Sequence, residues 1–466
     1  MKVYILELKK TSVTAGVLDS VMPAILAAWS KRLGWDVEVA FVPFDKVDFE
    51  VDCDLVAIST YTSRARQSYE VARRFRERGK LVVLGGPHTK GNIEDVRLHV
   101  DAVFRDCNEE AWRGFLEAVA SGEVRPAAPG QPGLFVPSPQ LLDPPPYAEY
   151  GPFLGKSRFP IVMASVGCPY TCGFCCDWDL DFKRRQLDDV LEDVRNVDAP
   201  LFFFADPNFG ADPVATKELL RRLAPLKKRF FVNYSFSYLN EETLALLRDA
   251  GCTIIGIGLD SLSRQYHKNA MGRSESILED AIARIDVIKR YIPIVTVNLI
   301  LGLDSDTEAT FDAAHEFVRR ADADIVMPHI ATPFPGTPLY DEMKAGGRIF
   351  DWNEEHYDTQ HLVVTLKQMQ PGVFLDRFRG LQAELCSPKN AVRKAFRQLR
   401  RSRNPLRAGF LLGVLGRKAL SAPFHELPAI ERNKERILSS EAYDLAIAGS
   451  PPAPQRPTAL GFALSG

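Results

Sequence analysis

The sequence predicts an α/β protein: a doubly wound parallel sheet, then a barrel or partial barrel of six βα units, then a mostly helical C-terminal region. Two observations predict this. Short apolar runs rich in Val, Ile and Phe alternate with amphipathic segments through most of the first 330 residues. A proline- and glycine-rich stretch interrupts that alternation once, over 122–159. At 466 residues the chain is long enough for two domains, and its 46% hydrophobic and 25% charged content is that of a globular protein. A formal net charge of −2 gives no reason to expect nucleic-acid binding. The start, MKVYILELKK, is too short and too charged for a secretory signal. No apolar run approaches the roughly 18 residues a spanning helix needs, so a cytoplasmic protein is expected.

In residues 1–121 the runs VYILEL (3–8), VEVAFV (37–42), LVAIST (55–60), LVVLGG (81–86) and DAVFR (101–105) read as strands. Segments 19–33, 64–78 and 109–121 read as the helices between them. Helical crossovers impose parallel pairing and cover both faces of the sheet. Ligands then bind at the carboxyl ends of the strands, which here carry Ser59, Thr60, Gly85, Gly86 and His88. Residues 122–159 hold too much proline for a helix or a central strand and read as a linker or draped connection. From 160 to 340 the alternation resumes with PIVMASV, LFFFAD, FFVNYSF, TIIGIGL, PIVTVNLILG and DIVMPHI as strands. Helices are expected over 183–196, 213–226, 240–249, 276–290 and 306–320. In such barrels the chemistry gathers at the carboxyl ends of the strands.

Residues 341–450 read as largely helical, and 451–466 as a disordered tail. Between Leu385 and His425 there is no Asp or Glu but there are ten Lys or Arg, interleaved with apolar residues. Two readings stand: a solvated basic helix packed on the barrel, or contact with an anionic membrane surface or acidic substrate.

Four of the eight cysteines fall in SVGCPYTCGFCCDWD (165–179), directly after the first strand of the second unit. Cys53, Cys107, Cys252 and Cys386 are scattered singly, as buried small apolar residues are. Cys168, Cys172 and Cys175 are spaced C-x3-C-x2-C, and Cys176 adjoins the last of them. Three thiolates on one loop suit a zinc ion or an iron–sulfur cluster. Structural zinc wants a fourth ligand, and neighbouring cysteines rarely both face one metal. A three-cysteine [4Fe–4S] cluster leaves one iron open, as a catalytic site requires.

This loop resembles that of the radical S-adenosylmethionine (SAM) enzymes, whose C-x3-C-x2-C follows the first strand of a partial (β/α)6 barrel with an aromatic before the last cysteine. Here that aromatic is Phe174. The resemblance implies that the open iron chelates SAM and that one electron cleaves it to a 5′-deoxyadenosyl radical. It further implies SAM contacts at Asp206 and Asn208 in FADPNFGAD, at Asp260 and Ser261 in GIGLDSLS, and at Gly302 in LILGLDSDT. In the last motif Asp304 stands where the family usually has proline. Together, LGGPHTK (84–90) and ATPFPGTPLYDEM (331–343) resemble the subgroup with an N-terminal cobalamin-binding domain. That resemblance covers roughly 1–385 and implies cobalamin contacts at Ser59, Thr60, Gly85, Gly86 and His88. The subgroup's glycine–glutamate phrase is replaced by RDCNEEAW (105–112), and no DxHxxG motif marks a lower axial histidine.

The leading expectation is cobalamin-dependent methylation of an unactivated carbon, the adenosyl radical removing hydrogen and cobalamin delivering the methyl group. No side chain is assigned a catalytic role, and His329 reads as a satisfied core histidine. Two alternatives stay open. One is a cobalamin-free radical SAM enzyme with a vestigial front domain, forming a ring or bond or transferring an aminocarboxypropyl group. The other is a non-enzymatic iron–sulfur or SAM-binding sensor. The expected partners are a small, hydrophobic substrate and an external electron donor such as flavodoxin or ferredoxin.

Overall fold

The computed structural model describes residues 1–9, 20–128, 130–141, 143–154, 160–236, 239–262, 277–321, 323–402, 404–422 and 425–447. The tail expected to be disordered lies outside them.

Among the described residues the first sheet has six parallel strands: β1 (Lys2–Leu8), β2 (Asp36–Val42), β3 (Leu55–Ser59), β4 (Leu81–Gly85), β5 (Ala102–Phe104) and β6 (Leu134–Val136). Their order, β2-β1-β3-β4-β5-β6, reverses direction between β1 and β3, which opens a ligand crevice at the carboxyl ends of those two strands. The period-2 pattern is carried through. Val3, Ile5, Leu55, Ala57 and Val83 face Trp29 and Trp112 of helices Met22–Arg32 and Glu109–Ala120. Tyr4, Leu6, Val56, Ile58 and Val82 face Val71 and Phe75 of helix Ala65–Glu77 on the other side. Both faces are therefore covered, as parallel pairing requires.

Strand β6 comes from the proline-rich connection and takes an edge position, where proline does least harm. The same connection lays Tyr150 under the next unit, its hydroxyl donating to the Ile161 carbonyl at 2.7 Å. Helix Thr89–Val96 was not anticipated, because GGPHTKG reads as turn.

The second sheet pairs β7 (Ile161–Val162), β10 (Phe202–Phe204), β11 (Phe230–Ser235), β12 (Cys252–Asp260), β13 (Ile294–Leu301) and β14 (Ile325–Ile330) in that order, all parallel. The first barrel strand is shorter than its apolar run. After Val162 the chain leaves the sheet, because the Ala164 N–H donates to the Asp206 carboxylate at 3.1 Å instead of to a strand. It then forms a small antiparallel pair, β8 (Ser165–Val166) with β9 (Lys183–Arg184). That pairing corrects the helix expected over 183–196, which begins only at Leu187. The cysteine loop is the connection between β8 and β9. Helices Pro371–Leu385, Pro388–Ser402, Pro405–Ser421, Glu426–Leu438 and Glu441–Ile447 make the C-terminal region.

Candidate active site

The hairpin β8–β9 throws residues 167–182 out over the carboxyl end of the second sheet, and both neighbouring units hold that loop down. From the front unit, the Lys90 ammonium donates to the Cys176 carbonyl at 2.9 Å and to Asp179 at 3.3 Å. Arg105 pairs with the same Asp179. Gln140 donates to the Asp179 carbonyl at 2.6 Å and accepts from the Asp181 N–H at 2.7 Å. From the barrel side, the Trp178 indole donates to the Gly336 carbonyl at 2.8 Å, and the Leu339 N–H to the Gly173 carbonyl at 2.9 Å. Both LGGPHTK and ATPFPGTPLYDEM are thus used to seat the cysteine loop.

Within the loop the Cys175 N–H donates to the Cys172 carbonyl at 3.0 Å, and the Asp177 N–H points at the Cys175 sulfur at 3.4 Å. Cys168, Cys172 and Cys175 are half-buried free thiols. Burial raises all three, Cys175 to about 12, and the Asp260 carboxylate adds to the rise at Cys172. A bare loop therefore disfavours thiolates, and a bound cationic centre is what would reverse that. Among the described residues no three ligating side chains close on a single metal ion. In a [4Fe–4S] cluster each cysteine holds its own iron, and three thiols on one loop suit such a cluster.

The remaining barrel residues fall around this loop unequally. Asp260 ends β12 at a register shift against β13, with φ of +57°, a left-handed conformation rare for a non-glycine. Its negative charge is near enough to raise the Cys172 thiol. Ser261 follows it and is buried. Phe174 is half-buried on the loop itself. Asn208 accepts from the Ser235 N–H at 3.2 Å through Oδ1, while its buried Nδ2 has no partner among the described residues. An orphaned buried donor at this strand end fits a bound polar ligand. Asp206 is committed otherwise: both carboxylate oxygens are taken by the Ala164 N–H and the Ser165 hydroxyl, and burial raises its carboxyl to about 6. Gly302 donates its N–H to Asp306 at 2.9 Å, and Asp304 is paired with Arg348 at 2.6 Å and Lys367 at 2.5 Å. The departure from proline at 304 therefore serves an ion-pair network.

The front-unit candidates lie at the right strand ends but are bound into their own unit. Ser59 donates to the buried Glu7 at 3.1 Å, and Thr60 shares a 2.7 Å hydrogen bond with Ser68. Gly86 has φ of +108°, and a Cβ there would lie 2.7 Å from the Thr60 carbonyl oxygen, so this glycine is required by the fold itself. Gly85 meets only ordinary contacts at Phe104. His88 is fully buried. Tyr69 donates to Asp95 at 3.0 Å, so its oxygen accepts from His88 Nε2 at 2.8 Å. Nδ1 is left to accept from Asn92 at 3.2 Å. Burial keeps this imidazole neutral, at about 4. RDCNEEAW also has a structural use: Arg105 reaches Asp179, and Asn108 caps helix Glu109–Ala120 through the Ala111 N–H at 2.9 Å.

Between these parts lies a solvent-open cleft of about 670 Å³. One wall is Tyr61, Thr62, Ser63 and Pro87, just beyond β3 and β4 of the front sheet, with Ser20 and Val21 at the start of helix Met22–Arg32. The opposite wall is Ile161, Met163, Phe203, Ala205 and Phe334, with Cys176 and Asp177 at its edge and Tyr357–Thr359 closing one side. These lining residues are ones the sequence reading missed. Tyr61, Thr62, Ser63 and Pro87 sit one to three positions past the residues it chose, whereas Ser20, Phe334 and Tyr357 come from segments where it chose no site residue. His329, expected to be a satisfied core residue, donates from Nε2 to Asn298 at 3.3 Å and accepts at Nδ1 from Thr359 at 3.1 Å. Burial holds it neutral, at about 4.

Residues 162–318 match the Radical SAM superfamily. The chain is 29% identical over 346 residues to the bacteriochlorophyllide d C-12(1)-methyltransferase of Chlorobaculum tepidum, covering 71% of this chain and 74% of that protein. It is 26% identical over 418 residues to the bacteriochlorophyllide d C-8(2)-methyltransferase of the same organism, covering 84% and 88%. Among solved structures it resembles the radical SAM methyltransferase TsrM from Kitasatospora setae, determined with cobalamin and a [4Fe–4S] cluster. The TM-score is 0.57 at 18% identity, over 74% of this chain and 78% of that one. It also resembles the cobalamin-dependent SAM radical enzyme OxsB, with a TM-score of 0.59 at 13% identity, over 96% of this chain and 75% of that one. At these identities the structural likeness concerns the fold.

Proposed function

We propose that this chain, a radical SAM enzyme of the subgroup with an N-terminal cobalamin-binding-like domain, methylates an unactivated carbon of a small molecule. The observation that carries the reading is the placement of one cleft. The carboxyl ends of β3 and β4 of the front sheet contribute one wall, the first two barrel strands, β7 and β10, the other, and the three-cysteine loop stands at its edge. When bound, the cluster supplies the electron that cleaves SAM to a 5′-deoxyadenosyl radical, and cobalamin supplies the carrier of the methyl group.

The chain's own residues would hold and shield. Cys168, Cys172 and Cys175 would ligate the cluster. Asp260 and Ser261, at the bulge in β12, and Asn208, with its spare buried N–H, would hold SAM beside Phe174 and Gly302. Asp206 would act one step back, fixing the corner at Ala164–Ser165 from which the loop departs. Gly85 and Gly86 would keep the backbone low at the front sheet's rim, with Ser59, Thr60 and His88 supporting Tyr61–Ser63 from beneath. The apolar wall of Met163, Phe203 and Phe334 suits a hydrophobic substrate. Relatives that act on bacteriochlorophyllide d make a flat tetrapyrrole the first class to test. Electrons would come from flavodoxin or ferredoxin in the cytoplasm.

A second reading, radical SAM chemistry without cobalamin, is favoured by the internal satisfaction of Ser59, Thr60 and His88. Anaerobic purification with cobalamin available, followed by cobalt analysis after gel filtration, separates the two. Cobalt eluting with the protein supports the methyltransferase, and its absence leaves the cobalamin-free enzyme.

A further inference from the structure

Helix Pro388–Ser402 is amphipathic in the opposite sense from a helix packed on a core. Asn390, Lys394 and Gln398 are buried on its inward face beside Ala391 and Ala395, whereas Val392 and Phe396 face solvent at 60% and 58% exposure. The polar face is anchored to the barrel's amino-terminal end. Lys394 donates to the Ala323 carbonyl at 2.6 Å, and Arg401 reaches Asp324 at 3.1 Å. Leu411 of the next helix, Pro405–Ser421, packs there on Ile254 and Ile294. The exposed side of that second helix continues the apolar face, with Leu406 at 80% and Leu420 at 75% exposure.

Cations frame this face. Lys389, Arg400 and Arg417 are exposed, and the Arg400 guanidinium lies over the Phe396 ring at 5.8 Å. The segment has ten basic residues and no acidic one from Leu385 to His425. A symmetric pairing of two copies through this face would set like charges against each other with no acid to offset them. Among the described residues no helix is long and apolar enough to cross a membrane. Exposed apolar side chains ringed by cations on helices lying flat are what binds an anionic bilayer surface.

We propose that the hairpin 388–421 docks the protein on an anionic membrane surface, its apolar residues entering the acyl boundary and its cations meeting lipid headgroups. Because the hairpin covers the amino-terminal end of the barrel, the cysteine loop and cleft at the other end stay open while it is docked. This inference is independent of which reaction the cleft performs.

The test is co-sedimentation of the full chain with vesicles of phosphatidylglycerol and phosphatidylcholine, against phosphatidylcholine alone. Binding to the anionic vesicles, weakened by salt, is expected. The double variant F396S/L406S alters only exposed side chains, so its thermal midpoint should be that of the wild type. Its partitioning should fall about tenfold or more. The triple variant K389E/R400E/R417E should lose the preference for anionic lipid. No sedimentation with anionic vesicles, or unchanged partitioning of the double variant, would overturn the proposal. So would a dimer in gel filtration that the double variant converts to monomer, because the face would then bind a second copy.

Discussion

Glu354 is a half-buried carboxyl 3.6 Å from the His88 imidazole, and desolvation together with the Asp95 charge raises it to about 7 despite Arg66 nearby. A carboxyl raised in the folded state favours folding in its protonated form. Its contribution is complete below the unfolded value of 4.5 and is lost as pH rises through about 7. Glu354→Gln should therefore match the wild type near pH 5 and exceed its stability near pH 8, by on the order of 2 kcal/mol, in paired thermal melts. Equal differences at the two pH values would remove this account of the site. At the cysteines, alanine at Cys168, Cys172 or Cys175 should abolish the iron–sulfur absorbance of anaerobically purified protein, while alanine at Cys176 should leave it. Loss with Cys176 alone would reassign the ligands. The thiols were legible because their spacing is local in sequence. The commitment of Asp206 to Ala164 and Ser165, and of Ser59 to Glu7, was not, because those partners lie 42, 41 and 52 residues away.

The elements that join the two units are the helix Thr89–Val96 and the PFPGTP turn. At Gly91 a Cβ would lie 2.2 Å from both the Gly336 nitrogen and the Pro335 carbonyl carbon, with no flexible side chain to yield. Gly91→Ala should cost about 1–3 kcal/mol through overpacking. By displacing Gly336 it should also loosen Trp178, whose indole bonds to that carbonyl. The expected signs are a lower thermal midpoint and faster proteolysis within 167–182. Wild-type behaviour in both would mean that the units do not meet at this contact. Sequence reading found the strands here, because alternating burial leaves a pattern in the chain itself. It missed the helix at 89–96, whose glycine reads as a turn but exists to admit another backbone. It also extended the first barrel strand through 166, since an apolar run does not reveal that a distant carboxylate diverts Ala164.

At the scale of the whole molecule, strands β3 and β4 of the first sheet and β7 and β10 of the second meet at one cleft, and the cysteine loop is clamped between the units by Lys90, Arg105 and Trp178. The fold class was legible because each sheet is built from local βα units. The facing of the sheets was not, because it rests on side chains such as Arg105 and Asp179, 74 residues apart. The central claim is that this cleft unites SAM cleavage with methyl transfer. If methyl and adenosyl groups come from separate SAM molecules, each turnover must release one S-adenosylhomocysteine and one 5′-deoxyadenosine. The most direct test is chromatographic quantification of both after anaerobic incubation of the cobalamin-supplied protein with SAM, reductant and a bacteriochlorophyllide. The account predicts equal amounts, rising with a product heavier by one methylene. Formation of 5′-deoxyadenosine alone, with no S-adenosylhomocysteine and no methylated product, would contradict it.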